Sequence, residues 1–147
     1  MKISTYLARK MLAALRTELT EGFILVYKGA VPQDADAVVD ASNLLAVFTT
    51  QANAAITLGE PVGNSIGKAA ADTAYVCNNP VTAGTATFFR FVTQADGGSA
   101  ADAVNGPARL QGTIGRSGAD MILADPVFVL NTPKSLAYFN ATLPLGL

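Results

Sequence analysis

The sequence predicts a mainly β protein, an antiparallel two-sheet β-sandwich that can take jelly-roll form, with one N-terminal α-helix. Three observations carry this prediction. Short runs rich in β-branched and aromatic residues recur along the chain, clusters of Gly, Pro, Asn and Asp separate them, and one segment alone has helical periodicity. No strand alternates with a helix in the manner of a βαβ unit, which disfavours α/β folds. At 147 residues the chain reads as one domain over 1–147, a helix at about 4–18 packed on a sandwich at about 22–147.

Ser4 or Thr5 can cap the helix, and Leu7, Met11, Ala14 and Leu15 follow at i, i+4, i+7 and i+8 as its apolar face. Gly22 ends that pattern. Phe23 to Tyr27 is a compact run of β-formers and the first strand. Lys28 to Ser42 holds Gly29, Pro32 and three aspartates, so it reads as a long excursion with a helical turn around Ala35 to Val39. Leu44 to Thr50 is the second strand, followed by weaker strands at Ala54 to Leu58, Ser65 to Ala70 and Thr73 to Cys77. Thr85 to Thr93 places large apolar residues on both faces of its alternation and reads as a central strand. The glycine-rich stretch from Asp96 to Gly106 is expected to be an exposed, mobile loop. Short strands at Ala108 to Ile114, Met121 to Leu123, Val127 to Leu130 and Leu136 to Leu143 complete the series, divided by turns at Gly115, Ser117-Gly118, Asp125-Pro126 and Asn131 to Pro133.

Composition fits an assembly component, and equally an Ala-rich domain from a high-GC genome. Half of the residues are hydrophobic and only 14% are charged, against roughly 25% in ordinary soluble domains. The surface is therefore finished with Ala, Gly, Thr, Asn and Ser, which a neighbouring subunit can cover without stranding a charge. A net charge of −1 provides no basic footprint for direct binding to nucleic acid. Cys77 is the only cysteine, so no intramolecular disulfide forms, in keeping with a reducing compartment. No run approaches the roughly 20 apolar residues of a membrane span. Arg9 and Lys10 interrupt the first apolar stretch, so the reading contains no secretory leader and expects cytosolic synthesis.

Catalytic motifs are approached but not completed. Gly63-Asn64-Ser65-Ile66-Gly67 fits the nucleophile-elbow spacing, yet the chain has no histidine to serve as base, leaving only Lys68 nearby in sequence. The same stretch falls short of a phosphate loop: three residues separate its glycines where four are needed, and Ala69 replaces the metal-binding Ser or Thr. Asp34, Asp36 and Asp40 could offer oxygen ligands to calcium, but the pattern lacks the glycine and terminal glutamate of an EF-hand. One cysteine and no histidine cannot build a structural zinc site. Cys77 reads as a small buried hydrophobe, and Phe88, Phe89 and Phe91 as core rather than base-stacking platforms. The reading is of a non-enzymatic protein with no catalytic, cofactor-binding or metal-binding residues and no cofactor.

The order of an N-terminal helix, GFILVYKGAVPQDADAVVDASNLLAVFT, TAGTATFFRFV and LQGTIGRSGAD before a terminal run ending in TLP resembles a family of small virion structural proteins of tailed bacteriophages. The resemblance covers most of the chain and is weakest at about 51–80 and 96–106. Its most specific piece is Gln111 to Asp120. Arg116 stands where a smaller or polar residue is expected, and Met121-Ile122 is more apolar than expected. The resemblance implies a virion component assembled in the host cytoplasm, with the major capsid protein or other virion proteins as partners and with homo-oligomerisation. A head decoration or cement protein is the first form this can take, and a tail, neck or baseplate component the second. A carbohydrate- or receptor-binding sandwich is a third reading, disfavoured by the absence of tryptophan and an aromatic content of 7%. Two groups are expected to make contacts through opposite charge: Lys2, Arg9 and Lys10 on the helix, and Asp34, Asp36 and Asp40 on the excursion.

Overall fold

The computed structural model describes residues 2–98 and 106–143. Among the described residues a single α-helix, α1 (Thr5–Glu18), is followed by eleven short strands: β1 (Gly22–Tyr27), β2 (Leu44–Thr50), β3 (Ser65–Gly67), β4 (Tyr75–Cys77), β5 (Gly84–Thr85), β6 (Phe88–Thr93), β7 (Arg109–Gly115), β8 (Met121–Ile122), β9 (Val127–Phe128), β10 (Lys134–Leu136) and β11 (Asn140–Thr142). The mainly β class with one helix is as the sequence predicts. Ser4 caps α1, its hydroxyl accepting from the Leu7 N–H at 3.2 Å.

The strands do not divide into two comparable antiparallel sheets. Seven of them form one sheet in the order β10-β4-β2-β1-β6-β7-β8, and β3–β11 and β5–β9 form separate two-stranded ladders. The seven-stranded sheet is mixed, because β7 and β8 run parallel while its other pairs are antiparallel. The physical reason is length: turn residues cut the chain after Gly115 into runs of two or three strand residues, too short to assemble a second full sheet.

Register fixes the two faces. Ile24 lies opposite Phe48 and Phe91, and Val26 opposite Ala46 and Phe89, so these side chains share one face. That face is the core, closed by Leu12 and Leu19 at the helix, by Ile66 of β3, and by Phe128 and Phe139. The Phe139 ring meets Phe89 and Phe91 edge-on with centroids 6.2 and 5.9 Å apart, and Phe128 meets Phe48 in the same way at 6.3 Å. Leu25 and its partners Val47 and Arg90 point to the opposite face.

Four local expectations change. The apolar face of α1 is rotated: Ala8, Leu12 and Leu19 are buried, whereas Leu7 and Met11 face out. The excursion holds no helical turn at Ala35 to Val39; a short 3-10 turn forms instead at Ala41–Asn43, capped by the Asp40 side chain on the Ser42 N–H at 2.8 Å. The run from Ala54 to Leu58 makes only isolated bridges, Ile56 to Gly22 and Leu58 to Lys68. Of the predicted loop at 96–106, residues 99–105 lie outside the described residues, and the Asp96 side chain is buried rather than exposed.

Candidate contact surfaces and the buried clamp

Arg90 is buried, at 2% exposure. Its place on β6 forces it under the excursion, because alternation gives Phe89 and Phe91 to the core. A buried guanidinium needs its donors satisfied. Nε donates to Gln111 Oε1 at 2.8 Å, and Nη2 donates to the Asp34 carbonyl at 3.2 Å. Gln111 sits opposite on β7 and donates its own amide to the Pro32 carbonyl at 3.0 Å. Two residues before Gln111 on the same strand, Arg109 makes a two-pronged ion pair with Asp96, Nε to Oδ2 at 2.6 Å and Nη2 to Oδ1 at 2.7 Å. Its Nη1 reaches the carbonyls of Ala35 at 3.2 Å and Asp36 at 3.4 Å.

These three side chains form a clamp that holds the excursion by its backbone. Burial alone would raise the Asp96 pKa, but the Arg109 hydrogen bonds and the Gly98 N–H at 2.8 Å hold it below the usual carboxylate range. The Asp96 hydrogen bond raises Arg109, while burial and the neighbouring Arg109 charge lower Arg90. The hydrogen bonding therefore has a structural job to do, fastening residues 32–36 over the outer face of the sheet.

The residues expected to make contacts lie on opposite sides of that sheet. Lys2, Arg9 and Lys10 are exposed on and before α1, which packs beside β3 on the core side. Lys10 Nζ lies 5.5 Å from the centre of the Tyr6 ring. Arg16, the fourth cation of this region, is committed inward, with Nε donating to the Leu58 carbonyl at 2.8 Å and Nη1 paired with Glu60 at 2.8 Å. Asp34, Asp36 and Asp40 are exposed on the excursion, across the sheet. Asp34 Oδ1 accepts from the Asp36 and Ala37 N–H groups at 3.0 and 2.8 Å, so two of the three aspartates also shape the local turns. The structure keeps the two groups apart.

Large apolar side chains mark the same two regions. On α1, Tyr6, Leu7 and Met11 are 69%, 46% and 47% exposed; on the excursion, Val38 is 65% exposed. Ile122, Val127, Val129 and Leu130 are exposed at the far end of the chain. Sequence reasoning assigned Leu7 and Met11 to the core and so missed this surface. The available signal was a second apolar stripe at 8, 12, 15 and 19 beside the one at 7, 11 and 14.

The segments that approach catalytic motifs are placed as follows. Ser65 lies in β3, its hydroxyl 3.1 Å from that of Thr142, and Gly63 turns the chain at φ 61°. Lys68 Nζ donates to the Asp72 carbonyl. Cys77 is buried, and burial pushes its thiol pKa up. Among the described residues no cluster of three His, Cys, Asp or Glu side chains could hold a metal ion. No described helix is long and apolar enough to cross a membrane. A cleft of about 460 Å³ opens beside the β8 edge, with Phe89, Leu110, Ile122, Tyr138 and Asp120 in its wall. Its carboxylate is already engaged: Asp120 Oδ2 accepts from the Thr113 N–H and hydroxyl, each at 2.8 Å.

Compared with known proteins, the chain matches no family model, no curated protein and no solved structure.

Proposed function

We propose that this chain is a non-enzymatic structural protein of a tailed-phage particle, a head decoration protein that binds the capsid lattice and adds contact between capsomers. One observation carries the contact reading: large apolar side chains stand exposed on the helix, Tyr6, Leu7 and Met11, in a chain with few charges. Adjoining exposed apolar residues mark interaction sites, whereas single ones need no explanation. The virion assignment rests on the sequence resemblance, most specifically at Gln111 to Asp120. In this reading the seven-stranded sheet is one layer of a jelly-roll-like sandwich, and the ladders β3–β11 and β5–β9 with α1 supply the other.

Quantitative gel analysis of purified particles tests the proposal. A copy number close to that of the major capsid protein is expected. A few to tens of copies would move the protein to the tail, neck or baseplate. Absence from mature particles would overturn the virion assignment, and hydrolase activity abolished by Ser65→Ala would overturn the non-enzymatic one.

A further inference from the structure

The helix surface has a notch. A cavity of about 180 Å³ lies between Tyr6, Arg9, Lys10 and Ala13 on α1 and Glu60 and Pro61 opposite. A void of roughly 150 Å³ accommodates a benzene ring, so this one has room for an aliphatic side chain. Tyr6, Ala13 and Pro61 give it apolar lining, the helix side carries two cations, and its single acid, Glu60, is already paired with Arg16. On the far side of the sheet the excursion presents the converse shape. Val38 projects at 65% exposure, with exposed Asp36 and Asp40 two residues to either side.

From this complementarity of shape and charge we infer that copies of the chain join head to tail, Val38 of one copy entering the α1 notch of the next, with Asp36 and Asp40 facing its Arg9 and Lys10. The inference rests on the assembly reading above and names one of the contacts. Knob and notch lie on opposite sides of one sheet, so a molecule cannot satisfy both by itself. The two patches differ, so the contact is heterologous and either closes into a ring or propagates as an open array. Burial of Val38, Tyr6 and the aliphatic parts of Arg9 and Lys10 supplies affinity, and the charges supply register and salt dependence.

Sedimentation velocity on the full chain over a concentration series tests this. The wild type is expected to form species larger than a monomer, with assembly weakening as salt rises. Two variants each lose one patch: Arg9→Glu with Lys10→Glu, and Asp36→Asn with Val38→Asn. Each alone is expected to assemble at least about tenfold more weakly, the scale of one lost hot-spot contact. Mixed together they retain one intact contact per pair, so dimers form and nothing longer. All four side chains are exposed, and an unchanged unfolding midpoint confirms folding of each variant. Disulfide trapping adds a second readout: a Val38→Cys variant mixed with an Ala13→Cys variant gives cross-linked heterodimers, while neither alone gives cross-linked homodimers.

A wild type that stays monomeric, excursion variants that assemble normally, or cross-links confined to Ala13→Cys alone would overturn the head-to-tail contact. A monomeric protein that still co-sediments with phage heads would overturn this inference and leave the assembly reading standing. Head-to-tail oligomers of a protein absent from particles would do the reverse.

Discussion

Asp96 illustrates how a single carboxylate organises its surroundings. Its side chain and that of Arg109 are both almost wholly buried, so removing the carboxylate takes the negative charge out of a buried ion pair. Asp96→Asn is expected to cost about 3–5 kcal/mol, whereas the paired replacement Asp96→Leu with Arg109→Met is expected to cost much less; chemical denaturation of both variants checks the contrast. The same pair predicts a pH dependence. The folded-state pKa of Asp96 lies below the unfolded value of about 3.9. Its stabilisation is therefore fully present above the unfolded pKa and is lost as pH falls through the folded one. An acid titration of stability should show a wild-type loss in this window that Asp96→Asn lacks. Tyr75 is the opposite case. Its hydroxyl is buried and meets no partner at good hydrogen-bond geometry; burial pushes its pKa up, the Asp72 charge adds to the rise, and the Ala69 backbone only partly offsets it. Tyr75→Phe is expected to be neutral or stabilising by up to about 1 kcal/mol, read as the shift in denaturation midpoint.

Individual elements show why some predictions from sequence succeeded. The Thr85 to Thr93 alternation required bulk on both faces, and β6 indeed lies between β1 and β7. What alternation could not show is that Arg90 would be buried, because its acceptors are distant in sequence: the Asp34 carbonyl, more than fifty positions earlier, and Gln111 Oε1 on β7. The helix was legible in extent but not in rotation. Two neighbouring apolar stripes satisfy the same period, and packing chose the one containing Ala8, whose small side chain permits close approach. Leu12→Ala is accordingly expected to cost about 2–5 kcal/mol, and Met11→Ala within about 0.5 kcal/mol, measured by thermal or denaturant unfolding. The parallel pairing of β7 with β8 was not legible either, since parallel strands ordinarily need a connection of about a dozen residues. Here Asp120 folds the intervening segment back onto Thr113, and Gly118 turns at φ 63°. Gly112 permits the close approach, because a Cβ there would stand 2.6 Å from the Phe89 ring and 2.9 Å from Asp120 Cβ. Gly112→Ala should therefore destabilise by about 1–3 kcal/mol, with the unfolding midpoint as the readout.

Across the whole molecule, order is graded from the sheet centre outward. β1, β6 and β7 share the longest ladders, and β1, β2 and β6 the buried face, while β5, β8 and β9 are two residues each. Amide hydrogen exchange should find the highest protection at Ile24 to Val26 and Phe89 to Phe91, and the lowest in the two-stranded ladders and β8. The sequence suggested the opposed charged groups as contact candidates, but their separation by a sheet was not legible, because it depends on which way a long excursion folds. Composition suggested a surface suited to being covered, and topology adds the direction in which copies would stack.

The clamp on the excursion grips main-chain carbonyls of Pro32, Asp34, Ala35 and Asp36 and makes no demand on their outward side chains. The fastening is thus indifferent to what the segment displays. Substitutions at Gln33, Asp36 and Val38 can accumulate while the path of the chain persists. The outer face is a replaceable label on a fixed mount, open to change without refolding the body behind it.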